Sequence, residues 1–450
     1  MALLDEIKEA GGLLETFRGG KGPGAQLGRG SAGVLAIRIA GLTLVSANQI
    51  LLARLLGVEG YGQYIYVITL VNVLAIAGLL GLNTATVRFV AEYAAMGSSP
   101  LLTGFLRRSL QVIVTSSGAL AAAGAVVVLM IADELPRPLA TTLLVGLPLV
   151  LLVNVLELKS SVLAGLNRVL AARVFPDVLL PALFGLAIAL TWWTSAGALD
   201  APDAMVANVV ATVCVLIACV AMARRAVAYR VGTRPVYRSQ EWLRTSWPMF
   251  LTAGFSVVLT RTDVVLLGML RSTTEAGVYA VAGRIADLVT FGLAAVGTVG
   301  APLYAHYWSQ KEHSRLQRTA RISVLLASLM AVPVATVIIS LGPWLLGIFG
   351  QQFRIAYVPL IVLCFGQVGN AVTGTVGLLL SMTGQERQVA RVLGVAAVAN
   401  IALDLLVIPI CGIVGAAAVT ASVVVLRNIA LVLIAKRLLD VDATVYSVRA

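Results

Sequence analysis

From Ser31 to Lys436 the chain alternates long apolar runs with short polar connections. A helix of about 20 apolar residues crosses a hydrocarbon core of about 30 Å, and runs of that length recur along the whole chain. Twelve spans are predicted, at roughly 32–54, 63–83, 109–131, 139–163, 174–194, 205–223, 246–270, 278–304, 319–342, 355–380, 388–410 and 413–435. They are too long and too evenly apolar for barrel strands. Backbone groups in lipid must be satisfied within their own segment, so an all-α polytopic membrane protein is the architecture that remains. Ahead of the first span, Leu3, Leu4, Ile7, Ala10, Leu14 and Phe17 recur at helical spacing and predict an interfacial amphipathic helix. Its acidic residues and broken apolar core do not fit a cleavable signal. Gly19 to Gly33 reads as a glycine-rich linker.

Composition agrees with lipid as the solvent. Hydrophobic residues make up 59% of the 450 positions and charged residues 12%, and the mean hydropathy is +0.95. The net charge of +12 does not point to nucleic acid, because that partner needs a basic face on a soluble domain, whereas here the charge sits in short loops. Cys214, Cys219, Cys364 and Cys411 lie in or at the ends of apolar segments with no CxxC and read as small apolar fillers. His306 and His313 have no metal spacing, and no nucleophile elbow, phosphate-binding glycine loop or ATP-binding motif is present. Accordingly no catalytic residue, metal or cofactor is expected, and the chain does not read as an enzyme.

Sorting the 33 Lys and Arg between alternate loops places 25 on one side. Only Arg54, Arg137, Arg271 and Arg354 fall on the other, and Arg38, Arg261, Arg284 and Arg427 fall inside spans. The positive-inside rule then puts both termini in the cytoplasm, which requires an even number of spans. The longest polar connection, Arg224 to Arg244, divides the chain into six spans plus six. LLARLLGVEGYGQYIY after the first span matches LLGMLRSTTEAGVYAV after the seventh, which aligns Gly62 with Gly277 and Tyr64 with Tyr279. RFVAEY and PLYAHY fall at nearly the same offset. Copies with an even number of spans share one orientation, so the expected arrangement is two parallel-repeat six-helix lobes around a central cavity. The expected domains are residues 1–30 (amphipathic helix and linker), 31–223 (first lobe), 224–244 (basic cytoplasmic linker), 245–437 (second lobe) and 438–450 (tail).

The segments ARLLGVEGYGQY, GLNTATVRFVAEY, RTDVVLLGML with EAGVYAVAGRIADL, and LLGIFGQQFRIAYVPLIVLCFGQVGNAVTGTVGLLLSMTGQERQVARV follow one another in order. Together they resemble the polysaccharide-export (O-antigen, Wzx-like) flippases of the multidrug/oligosaccharidyl-lipid/polysaccharide (MOP) exporter superfamily, over nearly all of the chain beyond Gly33. That resemblance implies a twelve-helix transporter that moves an undecaprenyl-diphosphate-linked oligosaccharide from the inner to the outer leaflet by alternating access. It implies a bacterial inner-membrane location, with membrane lipids around the chain and a polysaccharide polymerase and glycosyltransferases as candidate partners. The chain lacks the two additional C-terminal helices typical of the lipid II branch. Two alternatives stay open: a cation or drug antiporter of the same superfamily, and a non-transporting assembly factor of a polysaccharide synthesis complex.

An ionised side chain within a span costs about 2.5–3.5 kcal/mol on insertion scales, so each one asks for a reason. For a diphosphate, arginine is the expected ligand, because its planar fork donates two parallel hydrogen bonds and stays charged when partly desolvated. Arg38, in the inner third of span 1, is expected to engage the diphosphate in the inward-open state, with Arg261 and Arg284 receiving it on the outer side. Asp263, Asp404 and Asp287 are the candidates for ion coupling. Structural readings compete with each: Arg284 with Asp287 as a local pair, Arg427 with Asp404 as a buried interhelical pair, Arg88 with Glu92 as a loop-fixing pair, Arg38 snorkelling to headgroups, and Glu157 and Lys159 at the interface. Without a nucleotide site, the energy must come from an ion gradient, the membrane potential or consumption of cargo on the far side.

Overall fold

The computed structural model describes residues 23–195, 197–228 and 234–440. The expected amphipathic helix, residues 229–233 of the basic connection and residues 441–450 of the tail lie outside the described residues. All regular structure among the described residues is helical, and ten helices are long and apolar enough to cross a membrane. Two of the ten contain a glycine whose backbone is not helical: Gly57 (φ 67°) in Ala36–Leu79 and Gly412 (φ 53°) in Glu386–Leu439. With ψ of −176° and −138° these backbone conformations suit glycine and not residues with a Cβ, so each run is two spans joined at a bend, and the described chain carries twelve. At the second bend Pro409 removes a backbone donor, and Arg271 Nη1 donates to the Pro409 carbonyl at 3.4 Å.

Two expectations change. The chain is already helical at Pro23, the first described residue, so the second half of the expected linker is helical. The tenth span, expected at 355–380, is the shorter Gln351–Val372, and the chain resumes as a separate helix Val376–Met382. Gly374 (φ 63°) makes the break, and a Cβ there would stand 2.5 Å from Val324 Cγ2. The residues on either side are as apolar as a continuous span, so hydropathy alone runs across the turn.

The chain divides into two compact units. One consists of the residues up to Leu55 together with Val71–Leu251, the other of Leu56–Leu70 with Thr252 onward. The helix Ser239–Leu270 therefore begins in the first unit and ends in the second. In the first unit Trp242 is buried against Phe105 (ring centroids 5.2 Å apart), and its Nε1 donates to Tyr93 Oη at 2.9 Å. Gly81 (φ 73°) lets the chain pass Ser246 and Phe250, where any side chain would collide with backbone.

In the second unit the segment Leu56–Leu70 is held by helix Thr273–Asp287 and its neighbours. Tyr61 meets Phe353 edge-on with centroids 5.5 Å apart, and Tyr66 covers the face of Gly268. Gly62 and Gly277, aligned by the sequence repeat, lie in direct contact: a Cβ on Gly277 would stand 2.5 Å from Gly62 Cα, and one on Gly62 would strike the Thr273 carbonyl. Small residues at a crossing allow backbones to approach closely, which is how helices associate where hydrophobic burial gives no net drive.

Gly277→Val is predicted to destabilise the protein by about 1–3 kcal/mol through overpacking. Gly254→Ala, at a helical position with open space around it, is predicted to be neutral. Thermal unfolding of the purified protein in detergent compares the two, and equal melting temperatures would remove the close crossing as a determinant of stability.

Candidate functional site

Span 7 places Arg261 and Asp263 two residues apart, a spacing that sends them to different sides of the helix. Arg261 is exposed and Asp263 is 6% exposed. Asp263 Oδ2 accepts from Tyr279 Oη at 2.6 Å and from Thr420 Oγ1 at 3.3 Å, and Oδ1 accepts from the Val264 amide at 2.8 Å. Spans 7, 8 and 12 of the second unit thus meet at one carboxylate. Span 11 adds Asp404, fully buried, whose Oδ2 accepts from Asn400 Nδ2 and whose Oδ1 has no hydrogen-bond partner in the protein. Asp263 and Asp404 are close enough to act on one another electrostatically. The result is two buried carboxylates, one held by two hydroxyls and a backbone amide and the other by the Asn400 side-chain amide. Oxygen donors of this kind suit a proton or a hard cation.

On the other side of span 7, Arg261, Arg284 and Asp287 lie within electrostatic reach of one another. Arg284 and Asp287 do not form the direct pair that their spacing suggested. The Arg284 Nε is buried without a partner, and Asp287 Oδ1 accepts instead from Gln367 Nε2 at 3.1 Å. A polar chain continues from there: Asn370 Nδ2 donates to Gln367 Oε1 at 3.3 Å and Asn428 Nδ2 to Asn370 Oδ1 at 2.7 Å. Spans 8, 10 and 12 thereby share a ribbon of amides ending beside two guanidinium groups. Buried polar groups are nearly always paired, so an unpartnered guanidinium nitrogen beside such a ribbon is a notable exception.

The repeat register tests whether the scaffold needs these charges. At the displacement that carries Gly62 onto Gly277, Asp263 falls on Asn48, Arg284 on Thr69, Asp287 on Asn72 and Arg261 on Ser46. Every ionisable residue of the second copy is neutral in the first. Asn48 is a satisfied core amide, with Nδ2 donating to the Pro181 carbonyl at 2.7 Å. The same displacement sets Arg38 of the first copy opposite Ala253. The helix pair forms in both copies, and only the second carries these charges.

Arg38 is exposed and belongs to the first unit, whereas the other five candidates belong to the second. Two pairings are corrected. Among the described residues Arg427 makes no ion pair with Asp404, whose partner is Asn400 one turn away on its own helix. Arg88 does not pair with Glu92; its guanidinium lies 5.8 Å from the Phe89 ring centroid. Sequence reasoning passed over Tyr279, Asn400 and Thr420, and the amides Gln367, Asn370 and Asn428. Two amides in the apolar stretch VLCFGQVGNAV were the available signal. Tyr279 carried none beyond its place in the repeat, because a tyrosine suits any apolar span.

Residues 35–308, more than half of the chain, match the family described as polysaccharide biosynthesis protein, and residues 248–406 match the MatE family. A probable low-salt glycan biosynthesis flippase of Haloferax volcanii is 28% identical over 160 residues, which cover 35% of this chain and 34% of that relative. The chain thus aligns with about a third of that relative's length. Among solved structures, the lipid II flippase MurJ in an inward closed conformation superposes with a TM-score of 0.72 at 15% identity, covering 90% of this chain and 87% of that one. An inward-facing multidrug resistance MATE family transporter of the MOP superfamily gives 0.70 at 14% identity, covering 91% and 98%. At these identities the structures speak for the fold, while the family match extends over both copies of the aligned helix pair. This chain is a multi-pass membrane protein that belongs to the polysaccharide biosynthesis protein family and shares its fold with structures of the MOP superfamily.

Proposed function

We propose that the cargo is a polyprenyl (undecaprenyl)-diphosphate-linked oligosaccharide, carried from the inner to the outer leaflet by alternating access during cell-surface polysaccharide biosynthesis. The observation that carries this reading is the cationic pair Arg261 and Arg284, set inside apolar helices, present in one repeat copy only and leaving a buried guanidinium nitrogen without a protein partner. Planar guanidinium groups match diphosphate oxygens two at a time, and the amide ribbon from Gln367 to Asn428 offers donors and acceptors suited to sugar hydroxyls. The glycan flippase relative in Haloferax volcanii supports the cargo class.

Arg38 takes the diphosphate in the inward-open state, and Arg261 with Arg284 receives it on the outer side. A ligand switches a protein only through differential affinity for its two states, and separate cationic contacts in each state supply that difference. Asp263 and Asp404 are the coupling centre, exchanging a proton or a hard monovalent cation, while Asp287 tunes the charge beside the two arginines. An antiporter with cationic cargo fits less well, because Arg261 is exposed whereas Asp263 and Asp404 face inward onto Tyr279, Thr420 and Asn400, and the exposed Asp287 lies beside two arginines. The protein sits in the bacterial inner membrane with both termini cytoplasmic, where a polysaccharide polymerase and glycosyltransferases act on the same lipid.

Four outcomes are expected. In vesicles containing a fluorescent polyprenyl-diphosphate sugar, Arg38→Ala is expected to impair loading by the equivalent of roughly 1.5–3 kcal/mol, the worth of a hydrogen bond to a charged group, with Arg38→Lys only partly restoring it. Arg261→Ala is expected to bind cargo from the cytoplasmic side without completing transfer; wild-type flipping rates in both alanine variants would show the arginines to be structural. Asp263→Asn is expected to abolish the dependence of flipping on a proton or sodium gradient, and an unchanged dependence in this variant and in Asp404→Asn would remove both from the coupling. A reporter fused after Ala450 is expected to be active only if it is a cytoplasmic one, and activity of a periplasm-dependent reporter would reverse the orientation.

A further inference from the structure

The helices that begin at Ser99 and end at Gly165 and Val227 converge in the first unit around a cavity of about 180 Å³. Leu106 lies near the start of its helix, Lys159 about 9 Å of helical rise before the end of its own, and Arg224 in the last turn of the third. All three positions therefore belong to the end of the unit that carries the arginine-rich loops. The walls are apolar, from Leu106, Val162 and Val227, and the two cations are its polar elements of note.

Among the described residues these two cations pair with no carboxylate. Lys159 is half-buried, Arg224 is exposed, and neither forms an ion pair among the described residues. The nearest acid in sequence, Glu157, interacts with Arg173, Asp177 and Asn83, on a different side of the helix from Lys159. Lys159 and Arg224 are instead close enough to repel one another. Two like charges held at one small cavity are unfavourable unless an anion joins them, and the apolar walls select an anion that carries hydrocarbon.

We infer that this cavity binds the phosphate headgroup of an anionic phospholipid of the inner leaflet, held between Lys159 and Arg224. Basic pockets between transmembrane helices on the cytoplasmic side are suited to such headgroups, and the anionic leaflet supplies them at high local concentration. The cavity, half-open to its surroundings, has room for a phosphodiester with the start of its glycerol, and its residues are none of those proposed to meet cargo. Arg224 offers a fork to two phosphate oxygens, and Lys159 places a point charge deeper in the cavity with its stem along the apolar wall.

Melting curves of the purified full-length protein in zwitterionic detergent, titrated with dihexanoyl-phosphatidylglycerol, test the site. A saturable rise in melting temperature is expected with phosphatidylglycerol and none with dihexanoyl-phosphatidylcholine. Arg224→Gln, at an exposed position that the fold tolerates, is expected to weaken the apparent affinity several-fold, and Lys159→Met with Arg224→Gln roughly tenfold or more, because charge-assisted contacts to phosphate are lost. Arg107→Gln with Arg108→Gln, exposed on the same helix as Leu106, should titrate like wild type. The inference is overturned if Arg224→Gln and the double variant respond as wild type does, leaving Lys159 a residue that merely snorkels, if phosphatidylcholine acts equally, or if inorganic phosphate alone reproduces the full shift. The readout is independent of flipping, so failure of the cargo assignment leaves it standing.

Discussion

In lipid no water is available to bond a stranded amide or carboxylate, and this constraint governs the whole structure. It forces every span to be helical, because only a helix satisfies its own backbone. It also decides where the chain can bend. Gly57 and Gly412 turn the chain between spans with hardly any connecting loop, since a left-handed glycine redirects a helix over a single residue. Where side chains rather than backbone carry polarity, they collect at shared points: Asp263 with Tyr279 and Thr420, Asp404 with Asn400, and the amides running from Asp287 to Asn428.

The same constraint gives the charge asymmetry between the two copies its meaning. A neutral amide such as Asn48 can be placed in a core and satisfied by one carbonyl, at little cost. A carboxylate or guanidinium at the corresponding place needs more partners, and in the second copy Asp263 takes three hydrogen bonds. Charge in the first unit lies instead toward its ends, at Arg38, Lys159 and Arg224. The repeat thus supplies two similar frames, and the fully buried carboxylate Asp404 lies in the second.

Hydropathy and the distribution of arginine made the twelve spans legible, because membrane crossing is written in residue type over long windows. Gly62 and Gly277 were legible as an alignment, and the structure turns that alignment into a contact. What escaped was whatever depends on rotation about a helix axis or on a local break. The tenth span continues across Gly374 in hydropathy but not in backbone. Arg284 with Asp287 and Arg88 with Glu92 have the spacing of ion pairs, yet Gln367 takes Asp287 and the Phe89 ring takes Arg88. Asp263 and Asp404 were picked out by their charge alone, whereas their partners Tyr279, Thr420 and Asn400 carry no charge, and only the fold brings them together.

The exchange of Leu56–Leu70 has a consequence for how the chain is made. This segment is synthesised early, directly after the first span, but the surfaces that receive it, Gly268, Thr273, Gly277 and Phe353, emerge only after the first half is complete. The nascent N-terminal half must therefore enter the membrane with one face of its second helix uncovered. That face, with Tyr61, Gly62 and Tyr66, is the one most exposed to wrong partners during biogenesis. A ribosome that stalls between the halves leaves behind a fragment that has reached the bilayer but cannot finish its own assembly.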